Sequence, residues 1–478
     1  MRSAAALSSS AGTDLPWIQV APGAPYFITE EGQPWHPIGQ NDAITWPELE
    51  GLFRRRDLAA VDRHLAWLAR NGVTCLRLMA EYSQVRHRYL ERPVGRFVPA
   101  MVQLWDDMIA LCERHRLRLL FTPFDTFWMY LHWRHHPYNR KNGGPCARPA
   151  EWLTDTGMIK AAKDRLSFMV ERWGGSGAIF AWDLWNEMHP AHMGDDPSHF
   201  ASVVSELSEH VRALELRLYG RSHPQTVSLF GPVLYSHPSV ADTIFRHPLL
   251  DFASTHLYAG GTIDNPRDTV APAAKVGELI REALSHTPPM RPFLDSEHGP
   301  IHTFKDKKRT LPEAFDDEYF RHIQWAHLAS GGAGGGMRWP NRHPHILTPG
   351  MRRAQASMTG FLSLLDWRRF CRRSLGEEMR IHTPGVQGFA SADRQQAVIW
   401  LVRIDTLDGK LGMLRPDAAP KPVTFELREM QNGTYRVTPW DTREGTLGAP
   451  LAAESRDGVL SVTVGGLATD LALAIRLQ

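Results

Sequence analysis

Cysteine is scarce in this chain, with four in 478 residues. Cys75, Cys112, Cys146 and Cys371 show no Cys-x-x-Cys spacing, which excludes a disulfide-dense scaffold and a regular zinc module. Cys75 falls in an apolar strand and Cys112 in a helical pattern, so buried thiols are expected. An excess of one charge is also missing. With 54 basic and 52 acidic side chains the formal charge is +2, and neither a nucleic acid nor an anionic membrane is expected as partner. No stretch approaches the roughly 18 apolar residues of a membrane span. The apolar run Ala4-Ala-Ala-Leu7 is shorter than the roughly 7 to 15 residues at the heart of a secretory signal. The expected location is therefore cytoplasmic, or periplasmic or secreted if a signal has been removed. Nothing in the sequence sets an oligomeric state.

What is present is ordinary globular composition, 43% hydrophobic and 22% charged, which speaks against disorder. Against that background two glutamates stand out. Each ends an apolar strand that stops abruptly in polar residues: Ile179-Phe-Ala-Trp-Asp-Leu-Trp-Asn-Glu187 and Pro292-Phe-Leu-Asp-Ser-Glu297-His-Gly. Two carboxyl groups at the ends of separate strands supply what cleavage of a glycosidic bond requires. One protonates the leaving oxygen, and the other attacks or stabilises the oxocarbenium-like centre.

The organisation fits. Residues 1–20 read as a loose leader of Ala, Ser and Gly. Tyr26 to Ile38 reads as a hairpin with Glu-Gly at its turn. From there strands and amphipathic helices alternate. Leu58, Val61, Leu65 and Leu68 mark the first helix, closed by Asn71-Gly72. Strands are expected at 73–79, 117–123, 179–187, 226–230, 250–256 and 291–296. Thr310-Leu-Pro-Glu313 predicts a capping box for the seventh helix. The run Ser330-Gly-Gly-Ala-Gly-Gly-Gly-Met337 predicts the eighth strand, and without a following Gly-Lys-Ser/Thr it is no phosphate loop. From about Arg368 the pattern changes to short strands of period two, with Asn432-Gly433 as a hairpin turn. The predicted architecture is α/β: a (β/α)8 TIM barrel over 21–367, and an all-β sandwich over 368–478.

Trp185-Asn186-Glu187 after a buried strand resembles the acid/base signature of clan A glycosidases, the (β/α)8 enzymes related to family 5 cellulases and mannanases. Glu297, 110 residues later, then matches the strand-seven nucleophile, and the resemblance covers roughly residues 25 to 366. It implies a retaining β-glycoside hydrolase acting on β-linked oligo- or polysaccharides through a covalent intermediate, with no cofactor and no metal. By the same resemblance Arg77 holds the nucleophile ionised, Asn186 binds the sugar 2-hydroxyl, His256 and Tyr258 are the pair whose tyrosine donates to the nucleophile, and Trp339 is the aromatic floor under the sugar. Glu187, facing the charge on Glu297, is expected to titrate higher. Two other functions stay open: a non-catalytic carbohydrate-binding protein, and a transglycosylase.

The chain departs from the family at strand three. Many members carry a histidine there, whereas this sequence has Phe124-Asp125-Thr-Phe-Trp128. Asp125 can accept two hydroxyl hydrogen bonds and Trp128 can form a wall. Gln40, Asn41 and Asp42, after strand one, are further subsite candidates. The loop from His132 to Cys146, with three histidines and a cysteine, fits no zinc spacing and is read as a loop over the cleft; His343 and His345 receive the same reading. Sugar identity and endo or exo cleavage are not encoded in any motif.

Overall fold

The computed structural model describes residues 15–84, 86–188, 197–301, 310–340, 342 and 345–478. The first fourteen residues of the expected leader and His343 lie outside that set. A small antiparallel sheet opens the chain: β1 (Ile18–Val20), β2 (Phe27–Thr29) and β3 (Pro34–Trp35). Residues 18–20, assigned to the leader from sequence, are thus a paired strand. Gly32 makes the tight turn after β2 with φ 81°, a conformation open to glycine at little cost.

A parallel barrel follows, in the order β4 (Gly39–Asn41), β5 (Cys75–Met79), β6 (Arg118–Thr122), β7 (Ile179–Asp183), β8 (Gln225–Thr226), β9 (Ser228–Phe230), β10 (Ala253–Leu257), β11 (Phe293–His298) and β12 (Met337–Arg338). Its hydrogen-bonded path starts at β8, runs through β7 back to β4, crosses to β12 and returns to β9. β8 and β9 are two halves of strand five, so the barrel closes as eight strands. The halves part because the Asp183 carboxylate, at the end of β7, accepts from the Ser228 backbone N–H at 3.0 Å and from its hydroxyl at 3.0 Å. Strands β5, β6 and β7 are buried at every position, as parallel strands covered by helices must be, and this is why they read as near-continuous apolar runs.

Two local expectations fail. Only Met337–Arg338 is strand in the glycine-rich segment. Gly331, Gly334 and Gly336 have φ of 104°, 77° and 73°, so they turn the chain into the barrel instead of extending it. The helix at Glu313–Ala329 has Pro312 at its N-cap and no side-chain cap bond, and the capping box does not form.

The C-terminal strands β13 (Arg373–Leu375), β14 (Met379–Ile381), β15 (Val386–Ala392), β16 (Gln396–Arg403), β17 (Lys421–Arg428), β18 (Gly433–Asp441), β19 (Thr446–Leu447), β20 (Leu451–Arg456), β21 (Val459–Leu467) and β22 (Asp470–Leu477) form the sandwich. Asn432-Gly433 is not a hairpin turn: β17 pairs with β14 and β21, while β18 pairs with β19, β20 and β22. The connection crosses between the two halves. Central strand β16 is buried at every position and apolar from Ala397 to Val402, because both its faces are covered. Ile399 and Leu401 enter the sandwich core, and Val398, Trp400 and Val402 join the core of the barrel.

At that junction Arg321 Nη1 donates to Thr442 Oγ1 at 2.7 Å and to the Asp470 carboxylate at 2.5 Å, and Trp400 Nε1 donates to the same carboxylate at 3.1 Å. The charge on buried Arg321 holds Asp470 below the usual carboxylate range, against the upward push of burial. Removing one partner of a buried ion pair strands the other. Arg321→Ala is expected to cost about 3 to 5 kcal/mol, read as a lower unfolding midpoint in urea. An unchanged midpoint would mean that apolar packing alone docks the sandwich.

Candidate active site

The C-terminal ends of β4, β5, β7, β10 and β11 converge on one buried cluster. At its centre is Arg77 from β5, 1% exposed. Its guanidinium has five N–H groups, and all five are used. Nη1 donates to Asn41 Oδ1 and to Glu297 Oε2, both at 2.9 Å. Nη2 donates to Asp183 Oδ2 at 2.8 Å and Asn186 Oδ1 at 2.6 Å, and Nε reaches Asp183 Oδ2 at 3.3 Å. Asp183 is a site residue that motif reading missed. The available signal was a carboxylate inside the apolar strand Ile179–Asp183.

Glu297 leaves β11 beside a bulge. Thr255 pairs with Asp295 but His256 pairs with Glu297, so Ser296 is the extra residue. The bulge re-aims the strand so that Glu297 and His256 face the same space. Tyr258 donates its hydroxyl to Glu297 Oε1 at 2.7 Å. Glu187 comes from the other side, on a residue with φ 53°. A non-glycine residue pays about 1 to 3 kcal/mol for that conformation, and such strain concentrates at functional sites. Its backbone N–H donates to Ser228 Oγ at 3.2 Å. One oxygen of Glu187, one of Glu297 and a ring nitrogen of His256 lie within 4.8 Å of one another. His256 Nδ1 is 2.8 Å from Glu187 Oε1.

Burial drives the electrostatics. It lowers the His256 pKa to about 4, so the imidazole is neutral at pH 7. With Nε2 buried and without a partner among the described residues, the proton is assigned to Nδ1 and points at Glu187. Burial also raises Glu297 above the usual carboxylate range, and the Glu187 charge adds to this. A charged His256 would oppose the rise, but an imidazole titrating near 4 carries no charge at neutral pH. Arg77 and Tyr258 are therefore the groups that favour the ionised form of Glu297 there. Burial thus works against the ionised form that Arg77 and Tyr258 were expected to favour.

The remaining candidates divide. Asn41 donates both amide hydrogens, to Ser296 O at 2.9 Å and Met337 O at 3.0 Å, and its oxygen is taken by Arg77. It ties strands one, seven and eight together and has no donor left for a sugar. Gln40 faces the helix Pro349–Leu362, accepting from Arg352 at 2.8 Å, and is not in the cleft. Asp42 accepts from the Ala43 N–H at 2.7 Å and sits near Glu48 and Arg352. Asp125 caps the helix Thr126–Leu131, its Oδ1 accepting from the Trp128 N–H at 3.2 Å. Only Oδ2, buried and without a partner among the described residues, is left for a ligand, not the two acceptors expected. Burial, with the charges of Glu81, Glu297 and Glu187, pushes Asp125 well up.

The aromatic surface is larger than sequence suggested. Trp339, 3% exposed, meets the edge of Trp46 at 5.0 Å and lies 6.3 Å from the Tyr82 ring. Tyr82 in turn lies 6.3 Å from Trp128. Trp46 and Tyr82 carry no motif, and only the fold brings them to the wall. Among the described residues two groups have donor sets a cation could approach: Glu187–His256–Glu297 and Asp42–Glu48–His64. In each, an arginine already supplies the positive charge, Arg77 at 2.9 Å from Glu297 and Arg352 at 3.7 Å from Glu48. Of the loop His132 to Cys146, His136 and Cys146 are buried; His136 Nε2 lies 3.3 Å from Glu81 Oε1.

No family model matches the chain. Over 160 residues it is 26% identical to the mannan endo-1,4-β-mannosidase A of Emericella nidulans, covering 33% of this chain and 39% of that protein. The chain thus spans about two fifths of the length of the curated relatives it matches first. Among solved structures, a glycoside hydrolase superposes with a TM-score of 0.61 at 13% identity, covering 98% of this chain and 99% of the other. A family 5 glycoside hydrolase from Bacteroides vulgatus gives 0.59 at 11% identity, with 99% and 96% covered. The chain therefore shares the fold of these glycoside hydrolases, barrel and sandwich together.

Proposed function

We propose that this protein is a retaining β-glycoside hydrolase with Glu297 as nucleophile and Glu187 as acid/base, acting on β-linked oligo- or polysaccharides. The approach of the two carboxylates carries the reading. Oxygens within 4.8 Å suit the roughly 5 Å separation of retaining pairs and leave no room for the water that an inverting pair spans at about 6.5 Å or more. Glu297, held ionised by Arg77 and Tyr258, attacks the anomeric carbon. Glu187 protonates the leaving oxygen. The neutral His256 donates from Nδ1 to one Glu187 oxygen, so the acid proton is held on the other, facing the leaving group. Asn186, its oxygen spent on Arg77, turns its amide N–H groups to the substrate 2-hydroxyl. Trp339 supports the ring by stacking. Similarity to a mannan endo-1,4-β-mannosidase makes β-linked manno-oligosaccharides the first substrates to assay. Absence of hydrolysis on every aryl β-glycoside and β-linked oligosaccharide, with binding retained, would favour a non-catalytic role, and sugar acceptors outcompeting water would favour a transglycosylase.

The pH dependence follows from the same groups. The nucleophile must be ionised, and its pKa is raised. Activity is therefore lost as pH falls through a value above the ordinary carboxylate range. The acid must be protonated, which gives the basic limb. Glu187→Gln is expected to remove the basic limb while the acid limb stays in place, measured as kcat/KM against pH on a substrate with an activated leaving group. A basic limb that survives would assign the acid elsewhere.

A further inference from the structure

One face of the sandwich packs on the barrel. There Trp400 of β16, Ala472 of β22 and Trp440 of β18 lie side by side in register and are buried in the barrel core. Further along the same face, where the helix Pro349–Leu362 ends, Ser363 and Leu364 border a groove of about 510 Å³, within the range of small-molecule sites. Ala474 and Thr438, paired across β22 and β18, form its floor, and their small side chains leave the space open. Leu447 and Pro450 make the wall opposite Leu364. The Gly448 N–H donates to Pro439 O at 2.9 Å and holds that wall against β18, with Leu447 61% exposed.

The charge in this groove is unbalanced. Arg436 and Arg476 stand directly opposite each other on β18 and β22, a cross-strand pairing of like charges that destabilises. Both line the groove, and no acidic residue does. Among the described residues neither arginine has a carboxylate within 4.0 Å. The acids nearby on this face are already taken. Glu454, opposite Thr434 on β20, pairs with Arg456 at 2.5 Å. Asp366, whose backbone N–H donates to Gln396 beside Arg476, pairs with Arg368 at 3.1 Å. Two guanidiniums side by side suit the oxygens of a single carboxylate or phosphate, and the leucines and the proline suit an apolar body next to it.

We propose that this groove at the junction of barrel and sandwich binds a small amphiphilic anion, a carboxylate or phosphate head on a short apolar body, with the head between Arg436 and Arg476 and the body between Leu364 and Leu447. The proposal does not depend on the glycosidase reading. Titration calorimetry on the intact chain would compare octanoate and octyl phosphate with the neutral octanamide and with inorganic phosphate. Each amphiphilic anion is expected to bind roughly tenfold or more tighter than octanamide, which lacks the charge, and than inorganic phosphate, which lacks the apolar body. The tighter of the two identifies the head group. Raising salt should weaken the anions and leave octanamide unchanged. Arg436→Glu and Arg476→Glu, both at exposed positions, should each abolish the preference for charge. Leu447→Ser should weaken octanoate about three- to tenfold and leave inorganic phosphate as it was. Saturating octanoate should raise the unfolding midpoint of the parent chain and not that of Arg436→Glu. No binding of either anion at millimolar concentration, octanamide binding as tightly as octanoate, inorganic phosphate binding as tightly as octyl phosphate, or a preference that survives both arginine variants would overturn the proposal.

Discussion

Glu297→Gly is expected to abolish hydrolysis, by about 10⁴-fold or more, and to regain cleavage when azide is added, with the product in the α configuration. The carboxylate that attacks lies between Arg77 and Tyr258. Removing it leaves a space of its size beside a guanidinium, where a small anion can sit and attack from the same face. Glu187→Ala should behave differently. It should cost about 10² to 10⁴-fold on substrates whose leaving group needs a proton and spare those whose leaving group does not. Azide should then give the β product, because the covalent intermediate still forms on Glu297 and is opened from the opposite side. Product anomers resolved by nuclear magnetic resonance assign the two roles. The same anomer from both variants, or activity in Glu297→Gly without added anion, would reverse or reject the assignment.

The second large effect is at Arg77. All five of its N–H groups are engaged, and two buried carboxylates, Asp183 and Glu297, pair with it. Arg77→Ala leaves both buried and unpaired, at a cost of about 3 to 5 kcal/mol. Arg77→Lys is expected to lose nearly as much, since an ammonium cannot span Glu297, Asn41, Asn186 and Asp183 at once. The variant that folds should show its defect in a specific way. Loss of the cation raises Glu297 further, so the acid limb of kcat/KM moves to higher pH. A fall in kcat/KM with an unmoved limb would make Arg77 a structural residue only. Asp183→Asn provides the complement: it keeps the contact with Ser228, removes the competing charge, and should leave the arginine with more attraction to spare for Glu297 and lower the acid limb.

Much of this site was legible beforehand because chemistry at a barrel's rim is written where apolar strands end. Glu187, Glu297, Arg77, Asn186, His256 and Tyr258 all occupy such ends, and the structure brings them together. Asp125 and Trp128 also reach the cleft, although the helix cap consumes one of the aspartate's oxygens. Asn41 was picked out for the right place and the wrong task. Sequence position puts it at the rim, but its amide is spent on the backbone of strands seven and eight, and nothing in a string of letters records where those strands run.

Local pattern alone determined that the chain alternates strand and helix, that a period-two domain follows near Arg368, and that two carboxylates end two strands. Burial imposes period and composition on each element separately, so these features survive in one dimension. Tertiary structure alone decided the rest. It turned the glycine run into a loop, because those residues take positive φ to meet the barrel. It sent β17 and β18 into different halves of the sandwich, a choice of partner that a turn dipeptide does not control. It placed Asp183 under Arg77, and Trp46 and Tyr82 beside Trp339. Each of these depends on groups tens to hundreds of residues apart, whose distances are set only when the barrel closes.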